Sequence, residues 1–368
     1  MRKLVSVRQL VLILIISMVT LKVLLLPSLL AKDIGRDSYI FMLFMLVLDF
    51  LVLLILLYIF NKNPDLSFYQ VVKKLFGKVG AKIIMFLFFL FFLLKSWGTF
   101  QTNLSYLNEN LYTSLDWYIF AFPILITVFF IASFGVNSLA RLVEIVCPII
   151  IVGFLGCFAV GLFRADFSSL MPFMEKGFFT HIPTIFRYSF WFGDYMIFIV
   201  FFGNVKEEKK ATQKISICII ISILIVVFFT AIAYSLFNYN SVTHTNSISD
   251  VLQVLPSISD IGSFDWVMVL IWDCSLFLFF TLNILGAFYS FRQVFFKKHQ
   301  LMCVFIILAI MLACCVAINF DIFGAINLVR DYGCYFSFAI QYVLPVILFI
   351  FSFKIKRRDV NAQATLEK

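Results

Sequence analysis

Five ionisable side chains stand deep inside long apolar runs: Lys22, Asp49, Lys95, Asp194 and Asp273. A charge near a bilayer centre costs at least ~2.5 to 3.5 kcal/mol on insertion scales, so it faces a partner or a wet cavity within the protein. The chemistry such groups offer is recognition of opposite charge. Lys22 has Ser17 and Thr20 beside it, and Lys95 begins a polar stripe that continues through Ser96, Gly98, Thr99, Gln101, Thr102 and Asn103. Asp194 follows Gly193 in an aromatic stretch from Tyr188 through Trp191 to Tyr195, where a glycine lets a helix open its backbone to a ligand. Asp273 lies between Trp272 and Cys274, with Thr281 and Asn283 further along. For Asp49 and Asp273, an ion pair with a lysine and a ligand contact fit the sequence equally. With both lysines ionised, the three carboxylates leave one excess negative charge, to be met by a proton or by a cationic group on a ligand.

Covalent chemistry has little support. The eight cysteines, Cys147, Cys157, Cys218, Cys274, Cys303, Cys314, Cys315 and Cys334, fall in or beside apolar runs without C-x-x-C spacing and read as packing residues. His181, His244 and His299 are far apart in sequence, so neither a metal site nor a Cys/His pair is indicated. The chain is not expected to be an enzyme or to carry a metal or cofactor.

The elements that must position the buried charges are membrane-spanning helices. The chain is 63% apolar and 13% charged over 368 residues, with 49 phenylalanines spread from end to end; a soluble domain is only ~45 to 50% apolar. Ten runs are long enough to cross as helices, near residues 8–31, 38–60, 81–109, 117–134, 142–163, 181–203, 214–237, 265–292, 300–318 and 331–353. The first is too long for a cleavable signal peptide and carries Lys22 at its heart, so it is expected to stay in the mature protein. Lysine and arginine gather at 62–82, 206–214, 292–298 and 354–358, against a sparse set on the other side (Lys32, Arg36, Arg164, Lys176, Arg187, Arg330). The positive-inside bias then places both termini in the cytoplasm. The net charge of +9 follows from that asymmetry and implies no nucleic-acid partner.

Two connections are long. Asn61 to Gly80 reads as a cytoplasmic surface helix, with Ser67 and Gln70 at capping-box spacing and an apolar face opposite Lys73, Lys74 and Lys78; its plainer role is to anchor the loop. Asn238 to Phe264, without Lys or Arg, reads equally as a lid or as a solvated outer loop.

Ten spans divide as five plus five, the arrangement of transporters built from inverted repeats with a ligand held by interrupted helices at mid-membrane. The chain would be one transmembrane domain over 1–368, with repeats at about 8–163 and 181–353 and a cytoplasmic tail at 354–368. The first and sixth spans would be equivalent, each with a polar interruption, at Ser17 to Lys22 and at Trp191 to Tyr195.

Beyond pattern, the chain resembles the endospore germination permeases, the B subunits of nutrient germinant receptors within the amino acid, polyamine and organocation superfamily. The resemblance covers nearly the whole length. It rests on Leu26-Pro27, Ser67 with Gly77-Lys78 and Gly80, Ala140-Arg141-Leu142, Asp166 with Leu170-Met171-Pro172, Gly193-Asp194, the lysines from Lys206, Asp331-Tyr332 and Leu344-Pro345. One departure is Val19-Thr20-Leu21-Lys22, where that family usually has small glycine-rich sequence. The resemblance implies a leucine-transporter-like fold and a sensor of a small nutrient, commonly an amino acid, working with A and C subunits in the spore inner membrane. Spans one, three, six and eight would surround the ligand. Lys22 would meet its carboxylate, Asp194 or Asp273 its ammonium group, and Trp191 or Tyr195 its side chain. A proton-coupled amino acid permease uses the same fold and the same carboxylates.

Overall fold

The computed structural model describes residues 5–110, 116–174, 177, 179–206, 208–238, 240, 247, 250–251, 265–295, 300–317 and 322–353. Val5 and Val205 form an isolated β-bridge, and the other regular structure among the described residues is helical. In chain order the helices are α1 (Val7–Leu24), α2 (Leu26–Asp33), α3 (Ser38–Lys62), α4 (Phe68–Asn110), α5 (Trp117–Phe134), α6 (Val136–Arg164), α7 (Ile182–Arg187), α8 (Ala211–Phe237), α9 (Asp265–Val294), α10 (Gln300–Ala317) and α11 (Ile326–Ser352). Nine helices among the described residues are long and apolar enough to span a membrane. Apolar side chains also cover the outside, with Val152 at 70% exposure and Phe163 at 88%; such a surface is stable only against hydrocarbon. The chain is an integral membrane protein with multiple spans.

The sixth run does not form a long helix. It is helical only in short pieces, Ile182–Arg187, Ser189–Trp191 and Asp194–Phe201, the last two as tight 3-10 turns. Between them Phe192 is extended and Gly193 takes the left-handed conformation, φ 75°. Glycine meets that φ without the steric penalty of a Cβ. The expected interruption at Trp191 to Tyr195 is therefore present.

The matching interruption expected at Ser17 to Lys22 is not. Ser6 and Gln9 cap the first helix with reciprocal hydrogen bonds, and α1 then runs unbroken through Thr20 and Lys22 to Leu24. The helix is broken at Leu25, and α2 has in its first turn Pro27, whose missing N–H cannot serve the Val23 carbonyl. Leu26-Pro27 thus follows directly on the end of α1, and a second helix, α2, runs from Leu26 to Asp33. The β-branched and leucine-rich sequence around Thr20 gives the backbone no reason to open, and the prolyl ring two residues past Leu25 does.

The connection before the third span is less peripheral than expected. Ser67 and Gln70 cap it, and Phe68, Val71 and Val72 are buried. Phe68 meets Phe88 and Phe202 edge-on at 5.4 and 5.3 Å. At Gly77, φ 73°, the chain turns into the membrane-crossing part of α4. This first segment is thus packed into the bundle's end. α4 and α9 pair along their length, where Phe92 lies so close to Gly286 that a Cβ there would sit 2.6 Å from its ring. The last span begins earlier than expected and holds two π turns, Val329–Gly333 and Ala339–Val343. Most of the connection from Asn238 to Phe264 and the tail 354–368 lie outside the described residues, so the lid reading concerns a segment without described structure; Val251 within it is buried.

Candidate functional site

The break in the sixth segment gathers four of the five charges. Asp194, at the start of the second 3-10 turn, is clamped by two ammonium groups from different helices: Lys22 of α1 on Oδ2, and Lys95 of α4 on Oδ1 at 2.7 Å. All three side chains are at most 1% exposed. Lys95 also donates to the Phe192 carbonyl at 2.6 Å, taking up an acceptor that the broken helix leaves unpaired. Aromatic faces complete the lysines' surroundings, Phe192 at 5.5 Å from Lys22 and Phe190 at 5.1 Å from Lys95.

Asp49 of α3 closes the other side of the break. Its carboxylate accepts the Gly193 N–H on both oxygens, at 3.1 and 3.0 Å, and the Tyr342 hydroxyl at 2.7 Å. Asp49 binds the opened backbone, with the charge of Lys22 acting on it. The N–H freed at Gly193 is thus already spent on protein. The quartet holds two ammonium groups and two carboxylates, so it is neutral, and the excess negative charge anticipated from five residues does not arise within it.

Asp273 stands apart. Among the described residues no cation lies within ion-pair distance of it; Asn103 of α4 is its polar neighbour. Its Oδ1 and both side-chain amide atoms of Asn103 are buried and without a hydrogen-bond partner of ordinary geometry. Ser17 and Thr20 turn their hydroxyls to the carbonyls of Leu14 and Ile16 in their own helix. Thr20 also meets the Ser275 hydroxyl of α9 at 2.7 Å, tying α1 to α9 two residues from Lys22. Tyr195 donates to the Gln341 carbonyl and is fully buried.

The polar stripe on α4 is split by function. Ser96, Thr99 and Thr102 satisfy carbonyls of their own helix at 2.7, 2.8 and 3.0 Å. The Trp97 indole N–H and the Gln101 amide nitrogen are buried without partners. Both side chains line a small cavity of about 20 Å³ with Leu21, Trp191 and Val329, next in sequence to the lysine-bearing turn of α1. That volume admits about one water. Donors without acceptors around it would suit an anionic or carbonyl oxygen.

Sequence reading missed Gln341 and Tyr342. Gln341 donates to the Ser189 carbonyl at 2.5 Å, and Tyr342 holds Asp49. Both lie in the π turn Ala339–Val343 of a last span that also carries Arg330, Asp331, Tyr332, Tyr335 and Ser337, so nothing in the sequence singled them out.

A family model described as Spore germination protein matches residues 4–321, most of the chain. No curated protein matches it.

Proposed function

The chain belongs to the spore germination protein family, and from that premise we propose that it is the B subunit of a nutrient germinant receptor that recognises a zwitterionic small molecule, an amino acid by class. The observation that carries this reading is the neutral quartet of Lys22, Lys95, Asp49 and Asp194 around the broken sixth segment. Opening a buried ion pair without replacing either partner costs ~3 to 5 kcal/mol. A zwitterion replaces both: its carboxylate takes the place of the Asp194 carboxylate on Lys22 and Lys95, and its ammonium group takes Asp194. A ligand with one net charge leaves an uncompensated ion, and an uncharged ligand cannot separate the pair. Trp191 and Tyr195 flank the break and would contact the ligand side chain. Ser17 and Thr20 would hold α1 in register, and Asp273 with Asn103 offers a second place for an ammonium group.

The architecture that goes with this reading is ten spans in two inverted five-helix repeats, the broken segment being the sixth span, with both termini cytoplasmic and the complex in the spore inner membrane with A and C subunits. Ligand exchange at Asp194 would favour one arrangement of the repeats, since a ligand shifts an equilibrium only through differential affinity; the partner subunits would read the change.

The test is germination of spores bearing Lys22→Ala or Asp194→Asn against a panel of amino acids, with the amount of receptor in the membrane measured in parallel. The expected outcome is a rise of at least tenfold in the concentration needed for response at matched receptor level. Unchanged sensitivity would refute the assignment. Uptake of labelled amino acid by liposomes holding the purified chain alone would instead mark it as a permease that uses the same buried carboxylates.

A further inference from the structure

On the other side of α1, away from the small polar cavity, lies an apolar hollow of about 230 Å³ between α1, α6, α8 and α9. We propose that it is a lipid acyl-chain site, entered sideways from the bilayer and filled in the membrane-embedded protein by a single hydrocarbon tail.

Its lining is apolar almost throughout, the buried and unpartnered Trp272 indole N–H being the exception. Ile15, Ile16 and Val19 of α1, Ile150 and Phe154 of α6, and Ile225 of α8 supply most of the wall. The hydroxyls that reach it are spent: Thr20 and Ser275 on each other at 2.7 Å, and Ser222 on the Cys218 carbonyl at 2.9 Å. The volume exceeds that of the ~150 Å³ engineered apolar cavities that stay dry in water yet take up benzene. Close-packed protein leaves few voids larger than a water molecule, so a hollow of this size is filled by something apolar.

Position selects the hydrocarbon tail among apolar occupants. Every lining residue lies in the interior of a candidate membrane span. At the rim, Leu155 of α6 and Ile221 of α8 are each 50% exposed on the outward faces of their helices. The medium at that rim is the bilayer core, where acyl chains are the solvent. A tail lodged here would wedge α1 against α6 and α8, on the helix that carries Lys22. The wedge would make the position of α1 depend on the lipid. This inference requires only that the chain spans a membrane, and stands or falls apart from the sensor reading.

The full chain in vesicles of phosphatidylcholine with dibrominated acyl chains tests it, because bromine quenches tryptophan only at contact range. Trp272 lines the hollow and is fully buried from the outer surface. Its signal is the fluorescence lost on Trp272→Phe. Strong bromine quenching of that component is expected, with at least a twofold reduction of the quenching when Cys147→Phe fills the hollow from α6. No quenching of the Trp272 component, or equal quenching in the filled variant, would overturn the proposal. Should the Trp272→Phe protein fail to fold, retained phospholipid is counted by native mass spectrometry in wild type and Cys147→Phe after detergent exchange. Loss of one bound lipid from the filled variant supports the site, and equal counts refute it. Quenching present in the isolated chain but absent once A and C subunits are bound would assign the hollow to a partner helix and likewise overturn the proposal.

Discussion

At the scale of single residues, the arrangement is decided by what each buried charge has beside it. Four charges from four elements neutralise one another, and the cost of desolvating them is tolerable only while all four are present. Lys22→Met leaves one carboxylate uncompensated, and a loss of about 3 kcal/mol or more is expected, seen as a lower thermal midpoint and less protein in the membrane. Adding Asp49→Asn restores neutrality while keeping the direct Lys95 to Asp194 pair, since an asparagine oxygen can still accept from Gly193 and Tyr342. The double variant is expected to recover more than half of the lost stability yet to respond poorly to germinant. Equal instability in single and double variants would show that the four groups do not act as one set. All five charges were legible as exceptions in apolar sequence; their pairing was not, because hydropathy fixes a span but not its rotation about its own axis. Asp273 illustrates the limit, reading from sequence like the other carboxylates and lying apart from the lysines in space.

At the scale of elements, the break in the sixth segment is built by neighbours as much as by its own glycine. Gly193 sits at φ 75° with its N–H held by Asp49, and a Cβ added there would run into the Gln341 side chain. Gly193→Ala therefore combines backbone strain of ~1 to 2 kcal/mol with overpacking of ~1 to 3 kcal/mol. Its thermal midpoint in detergent should fall well below that of Gly203→Ala, which carries a similar φ of 71° but meets only the backbone of Leu66 and Ser67 at 3.1 Å or more. The glycine-aspartate pair announced this break in the sequence. The first helix has no break at Ser17 to Lys22, although the polar residues there looked like an interruption; its break comes at Leu25, just before Pro27. The bond between Thr20 and Ser275 shows why: a hydroxyl on a helix can serve its own carbonyl and a partner helix without opening the backbone. Ser275→Ala removes that cross-helix bond, for an expected ~0.5 to 1.5 kcal/mol, and should be milder than either glycine change.

For the whole molecule, the distribution of charge along the chain and the packing of its ends bear on the same question, which side is which. The start of the described chain is tied to the end of the broken segment, Val5 donating to the Asn204 carbonyl at 2.8 Å and Lys206 donating to the Val5 carbonyl at 2.9 Å. Gln9 and Arg8 reach Glu144 near the start of α6, at 2.9 and 3.6 Å. The start of α1, the residues from Lys206 and the α5 to α6 turn therefore share one end of the bundle, the end to which the close of α3 also belongs through the Asn61 amide donating to the Thr212 hydroxyl of α8 at 2.8 Å. Arg36 and Asp37 meet Met171 and Met174 at the opposite end, where Ser168 donates to Asp166 through its hydroxyl and its backbone N–H and holds that carboxyl below the usual carboxylate range. If the lysine-rich end faces the cytoplasm, as loop charge predicts, single cysteines introduced at Lys209 and at Ser169 on a background without native cysteines must label oppositely. In intact cells a membrane-impermeant maleimide is expected to modify the Ser169→Cys protein within minutes and to reach Lys209→Cys only after permeabilisation. The reverse pattern would invert the orientation, leaving the quartet in place but exposing to the outside the end of the bundle taken here as cytoplasmic. Labelling of both positions in intact cells would contradict the placement of these two loops at opposite faces, and with it the crossing of the broken segment through the bilayer.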